Sequence, residues 1–316
     1  MSDPRKKASQ LEPTRKHNDW ASIFEGSATP VGADLVNDRA LMTKLKDAQF
    51  KVPRETRIFT VANQKGGVGK TTSAVNIAAA LANGGLNILV IDADPQGNAS
   101  TALGVEHASG TPSFYEVIMG KMPLVDVVAP APEFDSLFVA PSTIDLSSAE
   151  IELVSEDRRE YRLRDALDSA LEEFASRGVQ LHYVIIDCPP SLGLLTLNAL
   201  VAAREVLIPI QTEYYALEGL TQLMKSIQSV QASLNQGVAI STILLTMFDK
   251  RTNLAQDVAA EVRSYFPDET LSVEIPRNIR ISEAPSFHQT VITYDPRSSG
   301  AVAYMAAAFE LAGRAQ

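Results

Sequence analysis

The chain has 316 residues, 45% of them hydrophobic, and a formal net charge of −10 from 38 acidic and 28 basic side chains. That length holds one large α/β domain with an appendage, and the acidic balance excludes a protein that coats nucleic acid through overall electrostatics; DNA contact would need a local patch. A single cysteine, Cys188, excludes an internal disulfide and a thiolate zinc cluster, and is too few for a two-cysteine-per-subunit iron–sulfur site.

Residues 1–56 are polar, carry Pro4, Pro13, Pro30 and Pro53, and read as a flexible N-terminal extension with one short helical pattern from Leu35 to Phe50. Its basic cluster, Arg5, Lys6, Lys7, Arg15 and Lys16, reads as a solvated tail. The first residues lack the apolar core of a signal peptide, and no run reaches the roughly 18 apolar residues of a membrane span, so a soluble, cytoplasmic chain is expected.

From Arg57 onward short apolar runs alternate with helical patterns. Strands are expected at IFTVAN (58–63), LNILVIDAD (86–94), Leu137 to Val139, YVIID (183–187), EVLIPI (205–210), ISTILLT (240–246) and LSVEI (271–275). Helices are expected from Thr71 to Ala82, stopped by Asn83-Gly84-Gly85, from Asp157 to Arg177, and in the terminal AVAYMAAAFELAGRAQ, which lacks the basic face of a membrane anchor. The strands are near-continuous apolar runs, as a sheet covered on both faces requires. The pattern implies one α/β domain over 57–316, doubly wound, with a mainly parallel sheet and helices on both faces.

The segment Lys65-Gly66-Gly67-Val68-Gly69-Lys70-Thr71-Thr72 follows the first strand and opens the first helix. Such a junction lets backbone N–H groups converge on an anion at a helix N-terminus, with glycines leaving room for the approach. Lys70 is placed for the β and γ phosphates of a nucleotide, and the Thr71 hydroxyl for Mg²⁺. A dinucleotide fingerprint starting at Gly67 fails, because Thr72 stands where its last glycine belongs. Asp92, Asp94 and Asp187 close two apolar strands, and strand C-terminal ends line the crevice of an open parallel sheet; Asp187 fits the acid that holds Mg²⁺ in such sites.

The usual phosphate-loop pattern has glycine where Gln64 stands; here an additional lysine, Lys65, precedes the loop. With IDADPQGN, IDCPPS, TEYYALEG, TMFDKRTN and IPRNIRISEAPS, this segment resembles the ParA/Soj branch of the deviant Walker A ATPases, over about residues 57 to 312. The resemblance implies ATP and Mg²⁺ as cofactors, with the nucleotide held by Lys65 to Thr72. It implies Asp94 as the residue that positions the attacking water, Asp92 in support of the metal held by Thr71 and Asp187, and Lys65 as a lysine reaching a dimer partner's phosphates. Pro276 and Asn278 match the adenine-contacting positions, and Lys250, Arg251, Arg277 and Arg280 the non-specific DNA surface. An ATP-bound homodimer, double-stranded DNA, a ParB-type partner and association with the nucleoid follow from the same resemblance. A MinD-like membrane-positioning ATPase, or a ParA-like ATPase carrying another cargo, remains open as the alternative.

Overall fold

The computed structural model describes residues 40–45, 48–214 and 216–315. Strands form where the sequence runs apolar without alternation: β1 (Arg57–Val61), β2 (Ile88–Asp92), β3 (Ala129–Pro130), β4 (Leu137–Ala140), β5 (Tyr183–Asp187), β6 (Glu205–Gln211) and β7 (Ala239–Thr246). Among the described residues they make a seven-stranded sheet in the order β3-β4-β2-β5-β1-β6-β7, with only β3 to β4 antiparallel. The principal helices are α1 (Lys70–Asn83), α2 (Asn98–Ala102), α3 (Arg162–Ser176), α4 (Leu194–Ala202), α5 (Ala216–Ser233), α6 (Asn253–Tyr265) and α7 (Ser299–Gly313).

The continuous apolar strands bury both faces, one residue to each in turn. Phe59, Val61, Ile88, Val90, Tyr183 and Ile185 pack with α1 and α7, whereas Ile58, Leu89, Ile91, Val184 and Ile186 pack with α3 and α4. A third cluster joins β6 and β7 to α5 and α6. Helix α1 buries residues all round because it lies between the sheet and α7, and its alanines permit that close approach. It stops where expected: the Gly84 N–H bonds to the Ala80 carbonyl at 3.0 Å, and Gly85 takes the left-handed φ of 85°.

Three expectations change. LSVEI does not become a strand; it runs beside β7 through isolated bridges at Ile243 to Thr270 and Phe248 to Pro276. The Glu310 carboxylate of α7 takes the N–H groups of Ser272 and Val273, which diverts them from a ladder. The helix expected from Asp157 begins later, at Arg162. The boundary at residue 57 also moves, because residues 48–56 belong to the packed domain. Phe50 is buried edge-on against Phe309, with ring centroids 5.4 Å apart, and the Lys51 ammonium bonds to the Ala315 carbonyl. Residues 40–45 are helical with Leu45 buried; residues 35–39 and 46–47 of the Leu35 to Phe50 pattern, and the basic cluster from Arg5 to Lys16, lie outside the described residues.

Phe50 docks on α1 through the bare face of Gly84, where an added Cβ would come within 2.5 Å of the ring. Gly84→Ala should therefore displace residues 48–56 and cost roughly 1–3 kcal/mol, the range for overpacking a filled site. Thermal unfolding with limited proteolysis checks this: an unchanged melting point and no new cleavage near residue 50 would show that the segment is not held there.

Candidate functional site

Strand order builds the site. Parallel pairing sets Val61 level with Asp187 and Asp187 level with Asp92, so the ends of β1, β5 and β2 lie in one row. The glycine loop leaves β1 immediately beyond that row and closes into α1. Because β5 separates β1 from β2, the crevice at their C-terminal ends is the ligand position of an open α/β sheet.

Within the loop, Gly67 (φ 74°) and Gly69 (φ 88°) occupy left-handed backbone, which explains glycine at both. Gly66 has neither reason: its φ is not positive, and a Cβ there would meet no protein atom within 4 Å. A glycine without an internal cause fits close approach of the backbone to a ligand. The loop's start is fixed by Asn63, whose Oδ1 accepts from the Lys65 N–H at 3.0 Å and whose Nδ2 donates to the Pro209 carbonyl at 2.8 Å.

Lys70 is buried, with Nζ 3.4 Å from the Lys65 carbonyl. Burial lowers its pKa, and the nearby charges of Asp187 and Asp94 oppose that shift. Asp187 is fully buried, and both carboxylate oxygens lack hydrogen-bond partners. Burial and then neighbouring Asp92 push its pKa well above the usual range, with Thr71 and Lys70 countering in part. A buried carboxylate without donors is costly unless a cation or proton meets it. Among the described residues no cluster of three or more His, Cys, Asp or Glu forms a metal cage, so a divalent ion at Asp187 would need the Thr71 hydroxyl, phosphate oxygens and water to complete its shell.

Asp92, expected in support of the metal, lies level with Asp187 and also holds the turn that follows it. Its Oδ2 accepts from the Ser100 N–H and hydroxyl at 2.8 and 2.7 Å, and its Oδ1 from the Asp94 N–H at 3.2 Å. Burial nevertheless raises its pKa to about 6. The structure makes Asp92 the anchor of the turn that carries Asp94. Asp94 is itself 8% exposed, and its Oδ1 accepts from the Gln96 N–H at 3.0 Å.

The Lys65 Nζ meets Glu213 Oε2 at 3.2 Å. Pro276 bridges to Phe248, while Asn278 donates to Ser299 Oγ at 2.8 Å and accepts from the Arg280 N–H at 2.8 Å. A cleft of about 280 Å³ does flank the loop, lined by Thr71, Thr72, Asn98, Thr101, Pro285 and Gln289 among others. Sequence reading did not single out Asn98 or Gln289; their only signal is position, Asn98 as the last residue of DPQGN and Gln289 just beyond the IPRNIRISEAPS segment.

The four basic candidates divide. Lys250 and Arg251 occupy the turn after β7, and Arg277 lies beside it, its N–H 3.4 Å from the Phe248 carbonyl. Arg251 is already clamped on Asp249 at 2.9 and 2.8 Å. Arg280, in the next short helix, pairs with Glu283 at 2.9 Å and Asp295 at 3.4 Å. No helix among the described residues is long and apolar enough to cross a membrane.

A family model described as an AAA domain matches residues 56–240. The chromosome partitioning protein ParA of Myxococcus xanthus is 50% identical over 258 residues, 82% of this chain and 88% of that one. The sporulation initiation inhibitor protein Soj of Bacillus subtilis is 48% identical over 256 residues, 81% of this chain and 98% of that one. Among solved structures, a cobyrinic acid a,c-diamide synthase from Mycobacterium smegmatis with bound ADP and magnesium superimposes with a TM-score of 0.66 and 36% identity, covering 79% of this chain and 91% of that one. Loop, strand-end acids and relatives agree: the chain belongs to the ParA/Soj family of P-loop ATPases.

Proposed function

We propose that this chain binds and hydrolyses ATP with Mg²⁺, dimerises in the ATP-bound state, holds non-specific double-stranded DNA as that dimer, and is released when a ParB-type partner stimulates hydrolysis. The observation that carries the reading is the partnerless Asp187 carboxylate buried beside Lys70 at the foot of a glycine loop. The backbone N–H groups from Gly66 to Thr72 bind the phosphates, and Lys70 neutralises the β and γ groups. Magnesium, when bound, screens phosphate charge and draws electron density from the γ group. Thr71 and Asp187 would hold it, and their chemistry fits: one hydroxyl and one carboxylate with unused oxygens.

Asp94, held by the Asp92 anchor, orients the water and accepts its proton. Lys65 supplies positive charge to the partner subunit's nucleotide, and to do so it exchanges Glu213 for phosphate oxygens. The nucleoside lies in the cleft beside Thr71 and Thr72, with Asn98 and Gln289 on its walls; Ile281 and Pro285, from the segment that carries Pro276 and Asn278, line it as well.

DNA binding draws on Lys250, Arg251, Arg277 and Arg280. The carboxylates on Arg251 and Arg280 are solvent-accessible partners, and water screens such pairs, so exchanging them for DNA phosphates costs little. One copy offers few such contacts on a chain of net charge −10, and a dimer doubles them.

DNA co-sedimentation without nucleotide and with ADP, ATP or a slowly hydrolysed analogue should show binding in the ATP states alone, weakening steeply with salt; equal binding in every state would remove the switch. Lys70→Ala should abolish ATP binding. Asp94→Ala should keep it while turnover falls about 10²-fold or more, and a fully active Asp94→Ala enzyme would refute that assignment. Asp187→Asn should raise the melting temperature without nucleotide, because a buried charge is removed, and erase the extra stabilisation given by Mg²⁺ with ATP. Unaltered magnesium dependence in that variant would place the metal elsewhere.

A further inference from the structure

The phosphate loop is held from a distant strand as well as by its own turn. Val68 sits in the middle of the loop, and its carbonyl accepts a hydrogen bond of 2.8 Å from the hydroxyl of Thr246, 178 residues further along the chain. Thr246 is the last residue of β7 and is 2% exposed, so water does not compete for that bond. Its methyl group lies 3.8 Å from the position a Cβ on Gly69 would occupy, which places the side chain against the loop at two successive residues.

A peptide unit is planar and trans, so the carbonyl of Val68 and the N–H of Gly69 point in opposite directions. Tying the carbonyl to β7 therefore turns the Gly69 N–H away from β7. Gly69, at φ 88°, has the conformational freedom to lose that orientation if the tie is cut. The end of β7 is tied to the following segment by different bonds: Ile275 N–H donates to the Leu245 carbonyl at 2.8 Å, and Phe248 N–H to the Ile275 carbonyl at 2.9 Å. Those are backbone bonds, which a side-chain change at 246 leaves in place.

We propose that Thr246 is a positioning residue for phosphate binding: its hydroxyl, acting through the Val68 carbonyl, sets the Gly69 N–H toward the nucleotide's phosphates. The proposal rests on residues 65–72 being a phosphate loop. It assigns Thr246 no contact with the nucleotide itself.

The test uses the full chain with Thr246→Val, which keeps shape and removes the hydroxyl, and Thr246→Ser, which keeps the hydroxyl. Equilibrium binding of ATP and of GTP is measured with Mg²⁺, beside circular dichroism and thermal unfolding. Thr246→Val should bind both nucleotides about tenfold more weakly, the loss expected for one well-made hydrogen bond, with the ATP-to-GTP ratio unchanged. Thr246→Ser should stay within about threefold of the unsubstituted chain on the same scale. A purely structural threonine would lower the melting point and leave affinity within twofold, and that result overturns the proposal, as does a Thr246→Ser variant as weak as Thr246→Val. Failure of the unsubstituted chain to bind ATP overturns the phosphate-loop reading and the brace with it, whereas normal binding by that chain with an indifferent Thr246→Val overturns the brace alone.

Discussion

Asp187 is a buried carboxylate with no well-formed hydrogen bond, only the Thr71 hydroxyl nearby, and it is placed beside a second buried carboxylate by the pairing of two parallel strands. Everything around it is arranged as if to receive a cation. β5 lies between β1 and β2, so the strand that carries Asp187 is also the one that touches both the phosphate loop and the Asp92 turn. A protein selected only for stability would replace this pair with apolar side chains, since an ionised group in an apolar interior costs far more than a methyl group contributes. Lys70 approaches but is itself partly desolvated and faces Asp94 as well as Asp187. Folding energy is thus held in reserve at the crevice.

The second acid shows how a strand end can serve geometry instead of coordination. Asp92 ties the N-terminal turn of α2 back to the sheet through Ser100, and the Ser100 hydroxyl in turn accepts from the Ser142 N–H at 3.0 Å, beyond β4. Gly97 completes the turn at φ 64°, with His107 so close that a Cβ would fall 2.9 Å from its ring. Asp94 therefore projects from a turn pinned on three sides. Placement of this quality is what orienting a water requires, because a displacement of about 1 Å at a reacting atom can cost 10²-fold in rate.

Much of this was legible from residue order. Glycine, lysine and threonine in the phosphate loop are demanded by backbone approach to an anion, and acids at the ends of apolar runs fall at the crevice once the sheet is parallel; both rules are local. What stayed hidden depends on contacts between distant residues. No pattern around Lys65 announces Glu213, none around Val68 announces Thr246, and none around Phe50 shows that Gly84 is bare to receive it. LSVEI has the composition of a strand, and only the position of Glu310 on the last helix explains why its N–H groups leave the ladder. Asn278 illustrates a subtler limit: the residue matches its family position, but its amide serves a cap and Ser299 in this conformation.

The likeness to a diamide synthase raises a different chemistry, and the residues at the site bear on it directly. A P-loop fold hosts many reactions, so shared architecture carries ATP binding further than it carries the acceptor. Amide transfer through a covalent thiol needs an accessible cysteine that can ionise. The chain's single cysteine, Cys188, follows Asp187 directly, yet it is fully buried, and burial with the adjacent Asp187 charge pushes its thiol pKa well up. A thiol so placed stays protonated and is a packing group. The charged groups nearest the phosphate loop that sequence reading singled out are an acid on a fixed turn, Asp94, and a loop lysine parked on a surface carboxylate, Lys65. Those two suit a water and a second subunit, and on that ground hydrolysis gated by dimerisation fits the crevice better than transfer to a small-molecule acceptor.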